Sequence, residues 1–251
     1  MSAPVLVTEL LEKRFGGVVA ASEISISLHA GETVAIIGSN GAGKTTFVNM
    51  VTGYLTPSSG TVRFRGRDIT GSSPRRTARA GIRRSFQISQ VFAVLTALEN
   101  VMLADIASLE GRAGMTAPAL TPERAERGRA VLARFRLEDF ANTTVDTLPQ
   151  GVKKQLDIAM AAIGDPALIL LDEPTSGVSV DEKIDMMERV IEPLKRDDAT
   201  LLFIEHDMDI VTRFAARTVA FYEGKVLCDG PTADVLADEE VRRYVIGDVH
   251  A

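Results

Sequence analysis

Residues 38–46 read Gly-Ser-Asn-Gly-Ala-Gly-Lys-Thr-Thr and directly follow the apolar run Thr33–Ile37. This pattern, between a predicted strand and a predicted helix, is typical of a phosphate-binding loop. Glycine is needed there because a side chain would keep the backbone N–H groups from surrounding the phosphates, and the helix N-terminus adds positive potential. The alternative is a glycine-rich turn that only caps a helix, but the flanking strand and helix favour the phosphate site.

The lysine and threonine of this loop predict a nucleotide with bound Mg²⁺. Lys44 is placed to reach the β- and γ-phosphates, and the hydroxyl of Thr45 can bind the metal ion. The candidate nucleotide-binding residues here are Gly38, Ser39, Asn40, Gly41, Ala42, Gly43, Lys44, Thr45 and Thr46.

Short apolar runs alternate with helical patterns over most of the chain, which predicts an α/β fold with a mostly parallel core sheet. The predicted core strands are Thr33–Ile37, Ala167–Leu171, Leu201–Ile204 and Thr218–Phe221. The predicted helices are Lys44–Thr52, Val152–Ile163 and Val180–Lys195.

Two regions depart from this alternation. Val5–Leu11, Ser25–Leu28 and Thr61–Arg65 predict a small antiparallel β subdomain on the edge of the main sheet. Residues 90–163 are chiefly helical and predict an inserted α-helical subdomain. We therefore expect one domain over residues 1–251, with a nucleotide-binding core made of 1–89 and 164–251.

Composition limits the function classes. The net charge is −6, which argues against a protein that neutralises a nucleic-acid backbone. One stretch is locally basic, and we interpret it as a solvated face without chemistry. Its arginines are Arg63, Arg65, Arg67, Arg75, Arg76, Arg79, Arg83 and Arg84. The single Cys228 favours a reduced cytosol. The sequence predicts neither an export signal nor a membrane span, so we expect any membrane role to be peripheral.

Adjacent carboxylates end the run Leu168–Leu171. Asp172 is suited to hold Mg²⁺, and Glu173 to act as the general base that aligns a water with the γ-phosphate. Such a pair often only caps the next helix, but a phosphate-binding loop in the same chain favours the catalytic interpretation. His206 ends another strand and could contact the γ-phosphate or hold Glu173. A lone histidine there is usually structural.

Taken in order, the motifs of the chain resemble those of the ABC transporter ATPases over nearly its whole length. They are the loop at 38–46, Gln87 after the predicted strand Ile82–Phe86, the segment Leu148–Gln155, LILLDEP at 168–174 and IEHDM at 204–208. More narrowly, KRFGGVVA at 13–20, SFQ at 85–87 and the tail from Tyr222 to Gly247 resemble ATP-binding subunits of branched-chain and related hydrophobic amino-acid importers.

The resemblance implies roles for individual residues. Phe15 would stack on the adenine of ATP, while Gln87, Thr45 and Asp172 would surround Mg²⁺. Glu173 and His206 would form the hydrolytic pair. The family works as a head-to-tail dimer, so Leu148 and Gly151 of the signature segment would face the ATP held by a second ABC ATPase subunit.

The resemblance also implies an importer motor on the inner, cytoplasmic face of the cell membrane. Its membrane permease would dock in a groove near Val91 and Phe92, and the ATPase would not contact the solute. The alternative is a soluble ABC ATPase that remodels a cofactor-assembly scaffold or another complex. The sequence does not separate amino acids from urea, short amides or aromatic acids as the solute.

Two positions depart from the family pattern. The usual signature is Leu-Ser-Gly-Gly-Gln, but this chain has Leu148-Pro-Gln-Gly151-Val. Pro149 has neither a hydroxyl nor an N–H to donate, which leaves the amide of Gly151 and a helix N-terminus predicted near Val152. Ser179 stands where an acidic or amide residue is usual. These departures suggest a pair with a different ATPase subunit that carries a fuller signature.

Overall fold

The computed structural model describes residues 3–85, 89–108, 121–196 and 199–247. Its main sheet has six strands in the order β11-β10-β4-β9-β8-β7, and only β11 runs antiparallel to its neighbour. The strands are β1 Pro4–Phe15, β2 Val18–Ile24, β3 Ser27–His29, β4 Thr33–Gly38, β5 Ser59–Phe64, β6 Arg67–Asp68, β7 Ile82–Ser85, β8 Leu168–Asp172, β9 Thr200–Ile204, β10 Arg217–Tyr222 and β11 Lys225–Pro231. The predicted α/β fold with a mostly parallel core sheet is confirmed.

A second, antiparallel sheet is formed by β1, β2, β3, β5 and β6. The predicted antiparallel β subdomain is confirmed, but its strands form a sheet of their own and do not extend the edge of the main sheet. The two sheets and α1 (Lys44–Val51) share one buried apolar cluster, which includes Leu6, Ile36 and Phe47. β2 could not be predicted from the sequence, because Val18 and Val19 are adjacent apolar residues that are both exposed. Apolar and polar side chains therefore do not alternate along this strand.

Helices cover the other face of the main sheet. Apolar residues of α3, α5 and α6 lie in one cluster with Ile169 and Leu171 of β8. The helices after α1 are α2 Pro74–Ala80, α3 Ala97–Ser108, α4 Pro122–Arg134, α5 Gln150–Ala161, α6 Val180–Arg196, α7 Met208–Phe214, α8 Thr232–Ala237 and α9 Glu239–Val241. Within the described ranges, no helix combines the length and apolarity needed to cross a membrane. The assignment of 90–163 to a separate subdomain stays a prediction.

The strand order places the candidate residues together. β4, β9 and β8 are hydrogen-bonded neighbours, and all three run in the same direction. The glycine-rich loop follows β4, Glu173 follows β8, and His206 comes shortly after β9. Since the carboxyl ends of parallel strands meet at one edge, these three segments share the edge where α/β sheets bind ligands.

Candidate active site

The glycine-rich loop is held by close backbone packing. Every residue of β4 is buried, and α1 begins at Lys44. A Cβ atom on Gly43 would lie 2.7 Å from the carbonyl oxygen of Ala20, and the residue has a φ of 96°. Both the approach and the left-handed backbone require glycine. The loop therefore packs directly against β2 of the antiparallel sheet.

Lys44 bends back over the loop. It is 6% exposed, and its Nζ donates to the carbonyl oxygens of Gly38 at 2.7 Å and Ser39 at 2.9 Å. Burial lowers the pKa of Lys44, while the charges of Glu173 and Asp172 act in the opposite direction. The ammonium group thus sits between the loop and the acidic strand end, where phosphate oxygens would meet it.

Glu173 and His206 are brought into contact. Oε1 of Glu173 lies 3.1 Å from Nε2 of His206, and the two side chains are 23% and 42% exposed. Glu173 has a φ of 47°, a left-handed conformation that costs a non-glycine residue about 1–2 kcal/mol. Its own N–H donates to the carbonyl of Ile204 on β9 at 3.1 Å. The strained turn after β8 is thereby hydrogen-bonded to the end of β9, two residues before His206.

Glu205 is a positioning residue that sequence reasoning missed. It is 3% exposed, and its Oε1 accepts from the N–H of Thr175 at 2.9 Å and from the Thr175 hydroxyl at 2.7 Å. Oε2 accepts from the N–H of His206 at 3.2 Å. Glu205 thus joins the loop after Glu173 to the histidine. Its one signal in the sequence is an acidic residue at the end of an otherwise apolar strand.

Arg84 corrects the interpretation of the basic stretch as a solvated face. Its side chain is 8% exposed and forms an ion pair of 2.5 Å with the carboxylate of Asp172, which is 6% exposed. Arg84 also donates to Oδ1 of Asn49 on α1 at 2.6 Å. β7 pairs with β8, and this brings Arg84 beside the acidic strand end. Sequence reasoning could not find the pair because it depends on which strands are neighbours.

The model for the ABC transporter family matches residues 21–176, which is more than half of the chain. The chain belongs to the ABC transporter family. This confirms the family predicted from the order of its motifs.

Relatives and solved structures of the family align with nearly the whole chain. The high-affinity branched-chain amino acid transport ATP-binding protein LivG of Salmonella typhimurium is 33% identical over 99% of this chain and 100% of its own length. A solved ADP conformation of an ATP-binding cassette of an ABC transporter has a TM-score of 0.88 at 31% identity, covering 98% of this chain and 100% of its own. A dimeric post-hydrolysis cassette bound to ADP and Pi has a TM-score of 0.77 at 25% identity, covering 90% and 98%.

Phe15 offers an exposed ring at the end of β1. It is 52% exposed, pairs in register with Val18 on β2, and has Nζ of Lys13 at 5.2 Å from its ring centroid. β2, which pairs with this end of β1, also packs on the glycine-rich loop through Ala20. Gln87 lies outside the described residues, so its predicted place near Mg²⁺ stays a prediction.

The signature segment of this ABC chain presents mainly backbone. The side chain of Leu148 is 5% exposed and packs in the apolar core, so only its backbone could face a nucleotide. Helix α5 begins at Gln150, two residues before the predicted start near Val152. Pro149 therefore occupies the N-cap, and the N–H groups of Gln150 and Gly151 lie in the first turn, where a helix leaves its donors free.

Ser179 has a structural contact in the place where the family pattern differs. Its hydroxyl donates to Oε2 of Glu182 at 2.6 Å, and its carbonyl accepts from the N–H of Glu182 at 3.0 Å. These bonds close the start of α6, as in a helix cap. A serine at position 179 therefore still allows an ordered start of α6.

A groove of about 580 Å³ lies beside Phe92. Phe92 is 56% exposed, and Asn100, fully buried, holds its backbone with bonds of 2.8 Å and 3.1 Å. Val91 instead packs partly against the core. Apolar side chains of the groove come from Phe92, Leu103, Ala104, Ala107, Met160 and Ile163. Arg83, Arg84 and Asp157 also line it, so the groove contains charged side chains of both signs.

Proposed function

We propose that this chain is the ATP-hydrolysing subunit of an ABC importer for branched-chain or similar small amino-acid-like solutes. The observation that carries the proposal is the contact of 3.1 Å between Glu173 and His206, at the same sheet edge as the glycine-rich loop. The transport role and solute class rest on the likeness to LivG over the full length of both chains.

The residues suit ATP and Mg²⁺. Backbone N–H groups of Gly38–Thr46 would bind the phosphates, with Lys44 supplying a positive charge. The hydroxyl of Thr45 and the carboxylate of Asp172 are the oxygen donors that Mg²⁺ prefers. Phe15 would stack on the adenine. Bound Mg²⁺ would neutralise charge that develops on the phosphate oxygens.

Hydrolysis would use the carboxylate of Glu173. It would accept a proton from a water in line with the γ-phosphorus as the bond to the β–γ bridging oxygen breaks, giving ADP and phosphate. With its proton on Nε2, His206 donates to Glu173 and fixes the carboxylate's orientation. Glu205 would act on this pair indirectly, through Thr175 and the backbone of His206.

The chain would work as a head-to-tail dimer, as the family resemblance implies and the dimeric cassette supports. The first turn of α5 would face the ATP of the other subunit with backbone N–H groups and the exposed side-chain amide of Gln150, since Pro149 offers no donor. A partner ATPase with a fuller signature would complete the site built on this chain's own Glu173. We therefore favour an asymmetric pair.

The groove beside Phe92 would receive a short helix of the permease on the inner membrane face. Apolar side chains line most of the groove, which suits an amphipathic helix. Burial lowers the pKa of Arg83, which also lines the groove. A docking helix with an acidic side chain would find this guanidinium there.

The transporter purified from host membranes through a tag on this chain tests the function. Leucine uptake by proteoliposomes that contain the complex should require ATP. Phe92→Asp should abolish uptake while ATP binding stays unchanged, and Val94→Asp, which changes an 83% exposed residue outside the groove lining, should transport normally. A chain that retains no membrane subunit, or a complex whose uptake ignores ATP, would contradict the proposal.

A further inference from the structure

Helix α5 connects the signature segment to the catalytic edge of the same subunit. Its first turn lies directly after Pro149, and one turn later Lys154 is fully buried. Nζ of Lys154 donates a long hydrogen bond of 3.4 Å to the carbonyl oxygen of Asp172, the last residue of β8. A side chain of α5, which we call the signature helix, thus reaches the backbone next to Glu173.

The next residues of α5 fasten the helix on other sides. Oδ1 of Asp157 accepts from the N–H of Gln90 at 3.0 Å, and the side-chain amide of Gln155 donates to the carbonyl of Phe135. α5 is therefore held by the chain beyond β7, by the end of α4 and by β8. A displacement of its first turn would reach all three.

The surroundings of Lys154 are strongly acidic. Burial lowers the pKa of Lys154, and four carboxylates, those of Asp157, Asp172, Glu173 and Glu205, oppose this effect in that order. A buried ammonium carries a desolvation cost that an apolar side chain would avoid. The hydrogen bond to the carbonyl oxygen of Asp172 places the ammonium group beside this acidic cluster.

We propose that Lys154 is a positioning residue that ties the signature helix to the turn bearing Asp172 and Glu173. The inference rests on the proposed head-to-tail dimer. When ATP on the partner subunit binds the first turn of α5, Lys154 carries that change to the Glu173 of its own subunit. Hydrolysis at one ATP site then depends on how the other is occupied.

The test compares Lys154→Met, Lys154→Arg and Lys195→Met in the purified complex. Lys195 is a matched control, because it is a lysine exposed in the last turn of α6, outside the signature segment. We expect Lys154→Met to lower kcat at least tenfold, with the Kd of the isolated chain for ATP changed less than twofold. Lys154→Arg should restore part of the loss, and Lys195→Met should match the wild type.

A second measurement tests the contact between Lys154 and Asp172 directly, in the isolated chain. Lys154→Met should speed amide hydrogen exchange in residues 172–176, whereas Lys195→Met should leave it unchanged. Unchanged exchange in Lys154→Met would overturn the proposal, as would wild-type kcat or a parallel loss of ATP affinity and melting temperature. A wild-type complex without ATPase activity would refute the proposed function, and the exchange result would still decide the role of Lys154.

Discussion

In the proposed dimer, the acidic strand end would contact this chain's own ATP, and the signature segment would contact the ATP of the partner. The two regions offer very different groups to the nucleotide. At the strand end, Asp172, Glu173 and His206 offer charged or titratable side chains, held by Arg84 and Glu205. At the signature, Leu148 is buried and Pro149 lacks a donor, which leaves backbone N–H groups and the neutral side-chain amide of Gln150. This chain is therefore well equipped to bind and cleave its own ATP and poorly equipped to complete a partner's site.

The largest effect should come from Glu173→Gln. Losing the general base should lower kcat by about 10²–10⁴-fold, while ATP binding persists because the phosphate loop is untouched. Steady-state ATPase and equilibrium ATP binding measure the two quantities. Glu192→Gln, on an exposed pair with Arg136, is the control and should keep wild-type turnover. Retained hydrolysis in Glu173→Gln would remove the strand end from the chemistry.

Arg84→Met should destabilise the folded chain through its effect on the acidic strand end. Removing one partner of a buried ion pair leaves Asp172 uncompensated, and we expect the free energy of unfolding to fall by about 3–5 kcal/mol. Urea denaturation measures it. Arg63→Met breaks an exposed contact of 3.8 Å with Glu9 and should change stability by less than about 1 kcal/mol. If both variants lose the same stability, the buried ion pair contributes no more to folding than the exposed one.

Phe15→Ala should weaken ATP binding at this chain's own site without affecting folding. Loss of stacking on a base costs about 1–3 kcal/mol, so the Kd should rise between about five- and 150-fold. Phe92→Ala is a matched control, since Phe92 is 56% exposed and Phe15 52%. Titration with a fluorescent ATP analogue compares them. If both variants bind equally well, Phe15 is not the adenine platform.

The smallest effect concerns the residue after His206. The hydrogen bond from Lys183, at 2.8 Å, lowers the pKa of Asp207. The resulting stability is present at neutral pH and is lost as the pH falls below the normal aspartate pKa of about 3.9. Since the pair is partly exposed, we expect less than about 1 kcal/mol. Asp207→Asn keeps the cap on α7. It should be less stable in urea than the wild type at pH 6, and this difference should shrink as the pH falls to 3.

Local motifs made much of the fold and the candidate site predictable. The loop after β4 and the carboxylates after β8 each lie within a few consecutive residues, and parallel strands bring such segments to one edge. Arg84, Glu205 and Lys154 could not be found this way, because their contacts depend on strand order and helix packing. β2 was missed for a related reason, since its exposed valines have no pattern until β1 pairs with it.

The asymmetry between the two regions is tested most directly by the ATPase rate of the purified chain across protein concentration. We compare the wild type with Pro149→Ser/Gln150→Gly, which restores a hydroxyl donor and the glycine of the usual signature. The account predicts that the wild type alone binds ATP but shows negligible turnover at every concentration. The variant should turn over at least about tenfold faster, in line with a hydrogen bond to a charged group, at a rate that rises with the square of concentration. Vigorous, cooperative hydrolysis by the wild-type chain alone would contradict the account.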